Sequence, residues 1–177
     1  LCVSSQAGCA LQCTFCATGA QGFDQNLESH EIIGQLWLAN FSEKSNKPIT
    51  NVVFMGMGEP LLNFDNVIEA TKIIKDQNAY GLSRKRITIS TSGIVPNIKK
   101  LNKHVDVSLA ISLHAANDDL RDKIVPINKK YPIKMLLSSC IDFLADHDNK
   151  RHITIEYILI KDINAVSYTH LTLPTTR

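Results

Sequence analysis

Cys9-Ala-Leu-Gln-Cys13-Thr-Phe-Cys16 places three thiols at the spacing C-x3-C-x2-C, in a loop that follows a short apolar, strand-like start. Three thiolates do not close the tetrahedron of a structural zinc ion, which takes four protein ligands. They do suit a [4Fe-4S] cluster held by cysteine thiolates, with one iron left open to bind and reduce a small molecule. Phe15, beside the last cysteine, could keep water from such a cluster. On spacing alone the zinc site stays open as the alternative, with Cys2 or His30 as its fourth ligand.

Around this loop the sequence alternates strand and helix patterns. Residues 1–6 read as a short strand and residues 7–27 as the cysteine loop, with Gly8, Gly19 and Gly22 allowing tight turns. Ser29 is the expected N-cap of a helix, with Glu31 in its first turn and Ile32, Ile33, Leu36, Trp37 and Phe41 at helical spacing. A turn at 46–48 leads to a β-rich run at 50–55, a loop at 56–60 and a helix over 65–76. Residues 86–91 alternate like a strand, Ser92-Gly93 turns, and Pro96 opens a helix to Lys103. A strand over 105–113, a loop from His114 and a short helix over 118–124 come next. A longer amphipathic helix over 132–145 carries Cys140 as a core residue, and residues 152–160 form the last strand. Five strands with helices between them make an α/β chain of parallel β/α units. Chemistry is expected where the strands run into glycine or polar loops at their C-terminal ends. Periodicity alone does not separate an open sheet from a barrel.

Composition narrows the class. At 177 residues and 44% hydrophobic, the chain can bury the core of one domain. Its 19 basic and 17 acidic residues nearly balance, so composition gives no sign of a nucleic-acid binder. No run of about 18 apolar residues is present to span a membrane, and no signal-peptide pattern opens the chain. Five cysteines, three of them in a metal-like motif, point to a reducing cytoplasm rather than a disulfide scaffold. The start at Leu1, directly in a strand pattern, reads as a piece of a longer protein.

The cysteine spacing resembles the signature of the radical S-adenosylmethionine (SAM) enzymes. The run from Cys2 through Cys9, Cys13 and Cys16 to Phe23 is similar to the family that methylates carbon 2 of an adenosine in 23S ribosomal RNA and in some tRNAs. Phe54-Met-Gly-Met-Gly-Glu-Pro60, Ile89-Ser-Thr-Ser-Gly-Ile-Val-Pro96, Ala110-Ile-Ser-Leu-His114 and Val125-Pro-Ile-Asn-Lys-Lys130 agree with it, so that the resemblance covers residues 1–164. It implies a radical SAM partial β/α (TIM-like) barrel, here truncated to about its first five strands. The family's N-terminal domain and C-terminal catalytic segment would be missing. The stretch from Ala165 to Arg177 departs from the family and reads as a non-native tail.

The resemblance also implies roles. Cys9, Cys13 and Cys16 would hold a [4Fe-4S] cluster whose open iron takes the amino and carboxylate groups of SAM. One electron, from a donor such as flavodoxin, would then release a 5′-deoxyadenosyl radical. Gly58 and Glu59, Ser90, and Ser112-Leu113-His114 match SAM-contacting positions, with Glu59 expected to hold the SAM ammonium. Cys2 matches the cysteine that takes the proton from the adenosine carbon. A further, methyl-carrying cysteine of the family has no match here, and Cys140 does not fit it. The chain is therefore expected to bind cluster and SAM, but not to methylate 23S rRNA or tRNA by itself. Arg84, Lys85 and Arg86, and smaller groups at Lys99, Lys100, Lys103, Lys129 and Lys130, could meet RNA phosphates or simply form solvated faces. Two alternatives remain: the related adenosine carbon 8 methyltransferase, and a zinc-stabilised RNA-binding module without catalysis.

Overall fold

The computed structural model describes residues 1–42, 48–145 and 152–165. Most of the turn expected at 46–48, and the stretch 166–177 that carries nearly all of the expected foreign tail, lie outside the described residues. Strand β1 (Gln6–Gly8), helix α1 (Ala17–Gln21) and strand β2 (Phe23–Asn26) come first, β1 and β2 pairing as an antiparallel hairpin. Then follow α2 (Ser29–Phe41), β3 (Val52–Phe54), α3 (Phe64–Lys75), β4 (Ile87–Thr91), α4 (Val95–His104) and β5 (Ser108–Ser112). The order closes with α5 (Asp118–Ile124), α6 (Ile133–Ala145) and β6 (Thr154–Glu156).

Strands β3, β4, β5 and β6 form one parallel sheet in that order. The spatial order follows the sequence without reversal, the arrangement of a barrel wall rather than of a doubly wound sheet. Ile87 and Ile89 of β4 and Leu109 and Ile111 of β5 are almost fully buried, as a parallel sheet covered by helices requires. α2 packs on α3 and α4 on α6. Val67, Ala70 and Ile74 set the apolar stripe of α3, and Leu136, Cys140 and Phe143 that of α6, so Cys140 is a core residue as expected. Among the described residues no helix is long and apolar enough to cross a membrane.

Three local expectations change. The strand expected at 1–6 shrinks to a single parallel bridge, Cys2 to Val53, beside β3, with Val53 donating its N–H to Leu1 O and Val3 to Val53 O. The chain leaves the sheet at once to make the hairpin inside the supposed loop. Every residue of β2 is exposed, so no apolar alternation marked it. The first long helix is capped by Glu28, not Ser29: the Glu28 side chain accepts from the backbone of Glu31, whose side chain accepts from Glu28 N, a reciprocal capping box. That helix buries only Ile32 and Leu36, while Trp37, Leu38 and Phe41 face outward. The last strand stops at Glu156 because Asn164, 4% exposed, folds the following segment back. Its amide donates to His114 O and Ile158 O, and its Oδ1 accepts from Ile160 N.

Arg121, on α5, ties the C-terminal ends of the central strands together. Its side chain is fully buried. Nε donates to Leu113 O at 2.9 Å, one terminal nitrogen to Ser92 O at 2.7 Å and Ser112 O at 3.0 Å, and the other to Asn128 Oδ1 at 2.8 Å. Asn128 in turn donates to Asp118 and Asp122. Replacing Arg121 by Met leaves three backbone carbonyls without this donor, and buried polar groups stranded in this way are costly. We expect Arg121→Met to lower unfolding stability by about 3 kcal/mol or more, read from urea denaturation. A loss below about 1 kcal/mol would show that the carbonyls find other partners.

Candidate active site

A cavity of about 400 Å³ opens at the C-terminal end of the sheet, a volume in the range of small-molecule sites. Cys9, Cys13 and Cys16 line it together with Phe15. The strand ends supply the rest: Gly58 and Glu59 after β3, Ser90 to Ser92 from β4, Ser112 and His114 from β5, and Glu156 to Ile158 from β6.

The cysteine loop is shaped by its own backbone and seated on α5. Cys9 N donates to Gly22 O at 2.8 Å, and Gly8 has φ +76°. A Cβ at Gly8 would lie 1.9 Å from that same carbonyl oxygen, so no larger residue fits. Cys16 N donates to Cys13 O, and Thr14 N, between the two cysteines, donates to Ile124 O at the end of α5. The Phe15 ring meets His114 edge-on at 4.7 Å, and both Cys13 and Phe15 pack against Ala115, Ile124 and Val125. Burial pushes the Cys9 thiol up, and pushes Cys13 up to about 11, helped by the charges of Cys9, Cys16 and Glu59. Without a metal these thiols stay protonated, so metal loading must displace protons from them. Neither residue considered as a fourth zinc ligand reaches the cavity: Cys2 is exposed beside β3, and His30 lies on the surface 3.2 Å from Glu28. Among the described residues no three Cys, His, Asp or Glu side chains converge on a single ion. The donor set fits a larger group spread over three thiols, with one corner left to another ligand.

Glu59 is 2% exposed. Its N–H donates to Gln6 Oε1 at 2.8 Å, Oε1 accepts from Leu61 N at 3.1 Å, and Oε2 accepts from Ser92 N at 2.8 Å. Burial raises its pKa, while the hydrogen bonds from Ser92, Thr91 and Leu61 oppose the rise. The carboxylate expected to hold an ammonium thus already braces the turn after β3 against the turn after β4, with lone pairs remaining toward the cavity it lines. Gly58, at φ +96°, allows the Gln6 side chain to approach: a Cβ there would sit 2.5 Å from Gln6 Cβ.

Of the expected site residues, Cys9, Cys13, Cys16, Gly58, Glu59, Ser90, Ser112 and His114 share this cavity. Leu113 does not line it; its buried side chain joins the core, while its N–H donates to Glu156 O. Cys2 stays apart from the cavity lining. Sequence reading missed Glu156, whose Oε2 accepts from Ser90 and Ser112. It also missed Arg121 and the buried Gln6. A lone acid at the C-terminal end of an apolar strand was the signal for Glu156; Arg121, set in Asp-Asp-Leu-Arg-Asp-Lys, resembles a surface charge. The triplet Arg84 to Arg86 precedes β4 at the opposite end of the sheet, about 16 Å from the cavity at 3.3 Å per residue.

The chain and its fold are similar to known proteins. The profile of the Radical SAM superfamily matches residues 3–166. Proteins named dual-specificity RNA methyltransferase RlmN from Pseudomonas putida (strain W619) and Pseudomonas entomophila (strain L48) are each 63% identical over 169 residues. Those matches take in 93% of this chain and 44% and 45% of the two relatives, so the chain spans less than half their length. A crystal structure of a radical SAM methyltransferase from Sphaerobacter thermophilus superposes with a TM-score of 0.87 at 40% identity, over 94% of this chain and 49% of that one.

His114 supplies a test of the site's electrostatics. Its Nδ1 accepts from Ile158 N at 3.1 Å, so the neutral ring carries its proton on Nε2. Burial lowers its pKa below 6.5, more than the Glu156 charge raises it. Because the folded state prefers the neutral ring, its contribution to stability is full above pH 6.5 and is lost as pH falls through the lowered folded value. Nitrogen NMR of the metal-free protein at pH 7 should show the Nε2–H tautomer, titrating below 6.5. An Nδ1–H tautomer or a midpoint above 6.5 would contradict the geometry.

Proposed function

The chain belongs to the radical SAM superfamily, and from that membership we propose that it forms the radical-generating core of a methyltransferase acting on carbon 2 of an adenosine in 23S ribosomal RNA and tRNA. The observation that carries this reading is one cavity lined jointly by the three cysteines, the Gly58-Glu59 turn and the Ser90, Ser112 and His114 rim. The superfamily's cofactors are a [4Fe-4S] cluster and SAM. Bound together they supply one-electron cleavage of a carbon–sulfur bond, the source of radical chemistry that no side chain provides.

In this reading the chain's own residues bind, orient and exclude water. Cys9, Cys13 and Cys16 would hold the cluster, and Phe15, packed on His114, would cover its flank. Gly58 and Glu59 would receive the amino-acid end of SAM, with Glu59 kept in place by Leu61 and Ser92. Ser90, Ser112 and the Nε2–H of His114 would face the remainder, and Leu113 would fix the rim through its backbone. Cys2 is proposed as the proton-accepting thiol: it is exposed, as that role requires. The high identity to proteins named for dual-specificity RNA methylation supports the substrate assignment. Methyl transfer is proposed for the whole protein, since the relatives are more than twice as long as the matched region. A one-electron donor such as flavodoxin would serve it, in the cytoplasm where its RNA substrates lie.

Anaerobic reconstitution with iron and sulfide tests this reading. The expected result is about four irons and four sulfides per chain, with an absorbance change on adding SAM. One zinc and no iron per chain would instead identify a structural metal site.

A further inference from the structure

Among the described residues Arg121 is the only Lys or Arg that is buried. Two of the carbonyls its guanidinium holds, those of Ser92 and Ser112, belong to residues that line the cavity. About one turn further along the same helix, Ile124 O accepts from Thr14 N at 3.1 Å, and Cys13 packs against Ile124 and Val125. The guanidinium therefore stands behind the cavity wall, on the helix that carries the cysteine loop.

The cavity itself is charged the other way. None of the described residues lining it is Lys or Arg, whereas Glu59 and Glu156 bring carboxylates and the three cysteines become thiolates when they hold metal. The His114 ring, held neutral by burial, adds no positive charge. The acids that face the guanidinium through Asn128 lie nearer to solvent: Asp118 is exposed and Asp122 half-buried. Water screens those two, while a charge taken out of water acts at longer range. The charges of Arg121 and Cys13 are felt by each other. We propose that Arg121 is the buried countercharge of the cluster site and raises the reduction potential of a [4Fe-4S] cluster held by Cys9, Cys13 and Cys16. This rests on the cluster-binding reading above. On accepting one electron the cluster gains one negative charge, and a fixed cation nearby favours that form; net charge is among the levers that set such potentials.

Redox titration of the iron-loaded protein without SAM, poised with dithionite and viologen dyes and followed by electron paramagnetic resonance, reads the potential directly. Arg121→Met, at full iron content and unchanged circular dichroism, should shift the one-electron equilibrium about tenfold against reduction, a fall of about 59 mV. Asp118→Asn combined with Asp122→Asn keeps both Oδ1 acceptors for Asn128 but removes their charge, and should shift the equilibrium about twofold toward reduction. If Arg121 served structure alone, its loss would loosen the loop and admit water, which favours the more highly charged reduced form, so the potential of Arg121→Met would rise. A rise or no shift for Arg121→Met, or no upward shift for the aspartate pair, would overturn the proposal. Should Arg121→Met fail to load a cluster, the aspartate pair decides alone: an upward shift upholds the assignment, and any other result refutes it. A parent that takes up no iron and sulfide defeats the cluster reading and this assignment with it; a loaded parent whose potential the variants leave unmoved defeats the assignment alone.

Discussion

A buried guanidinium holds the working end of this fold together. Arg121 is fully buried, yet its donors reach the carbonyls of Ser92, Ser112 and Leu113 and the side chain of Asn128. A charge in such a place is tolerable only when every donor has a partner and opposite charge lies close by. Asp118 and Asp122 supply that charge through Asn128. The same contacts set the turns that follow β4 and β5 and fix α5 beneath the cysteine loop. Thr14 then hangs from the last carbonyl of α5, and Phe15 leans on His114. A residue with no place in the cavity thus positions both the thiol side and the hydroxyl side of it.

Two carboxylates at the same end of the sheet have been given different surroundings. Glu59 is enclosed, with a backbone donor on each oxygen, and serves as a brace between two turns. Glu156 is only partly buried, and both of its hydroxyl donors crowd one oxygen. The difference follows from the elements they occupy. Glu59 sits just inside a tight turn, where a short 3-10 segment turns its N–H groups back toward the preceding carboxylate. Glu156 ends an edge strand, with its side chain directed into open space between strand ends.

Much of this architecture was legible in the residues. Ile87 and Ile89, and Leu109 and Ile111, alternate as strand cores do, and Gly56–Pro60 and Ser92-Gly93 mark the turns that became the cavity rim. The resemblance carried by Cys9, Cys13 and Cys16 led to eight residues that do share one cavity. What escaped has physical causes. The hairpin β1–β2 buries no apolar face on β2, so it has no period to read. Trp37 and Phe41 keep helical spacing on a face that nothing described covers, because periodicity reports a stripe and not its burial. Arg121 and Glu156 are charges whose importance comes from long-range partners, and a linear pattern does not encode those. Cys2, expected to take the proton from the adenosine carbon, lies on an isolated bridge to Val53 of β3, outside the cavity lining.

We propose that the three thiols and the strand-end rim serve one bound assembly. Diffraction from crystals grown anaerobically with iron, sulfide and SAM, recorded on either side of the iron absorption edge, tests this. The expected result is an iron cluster held by Cys9, Cys13 and Cys16, with SAM in the same cavity between Glu59 and the ends of β4, β5 and β6. A single metal ion enclosed by four protein ligands, with the cavity at the strand ends separate from it, would overturn the proposal.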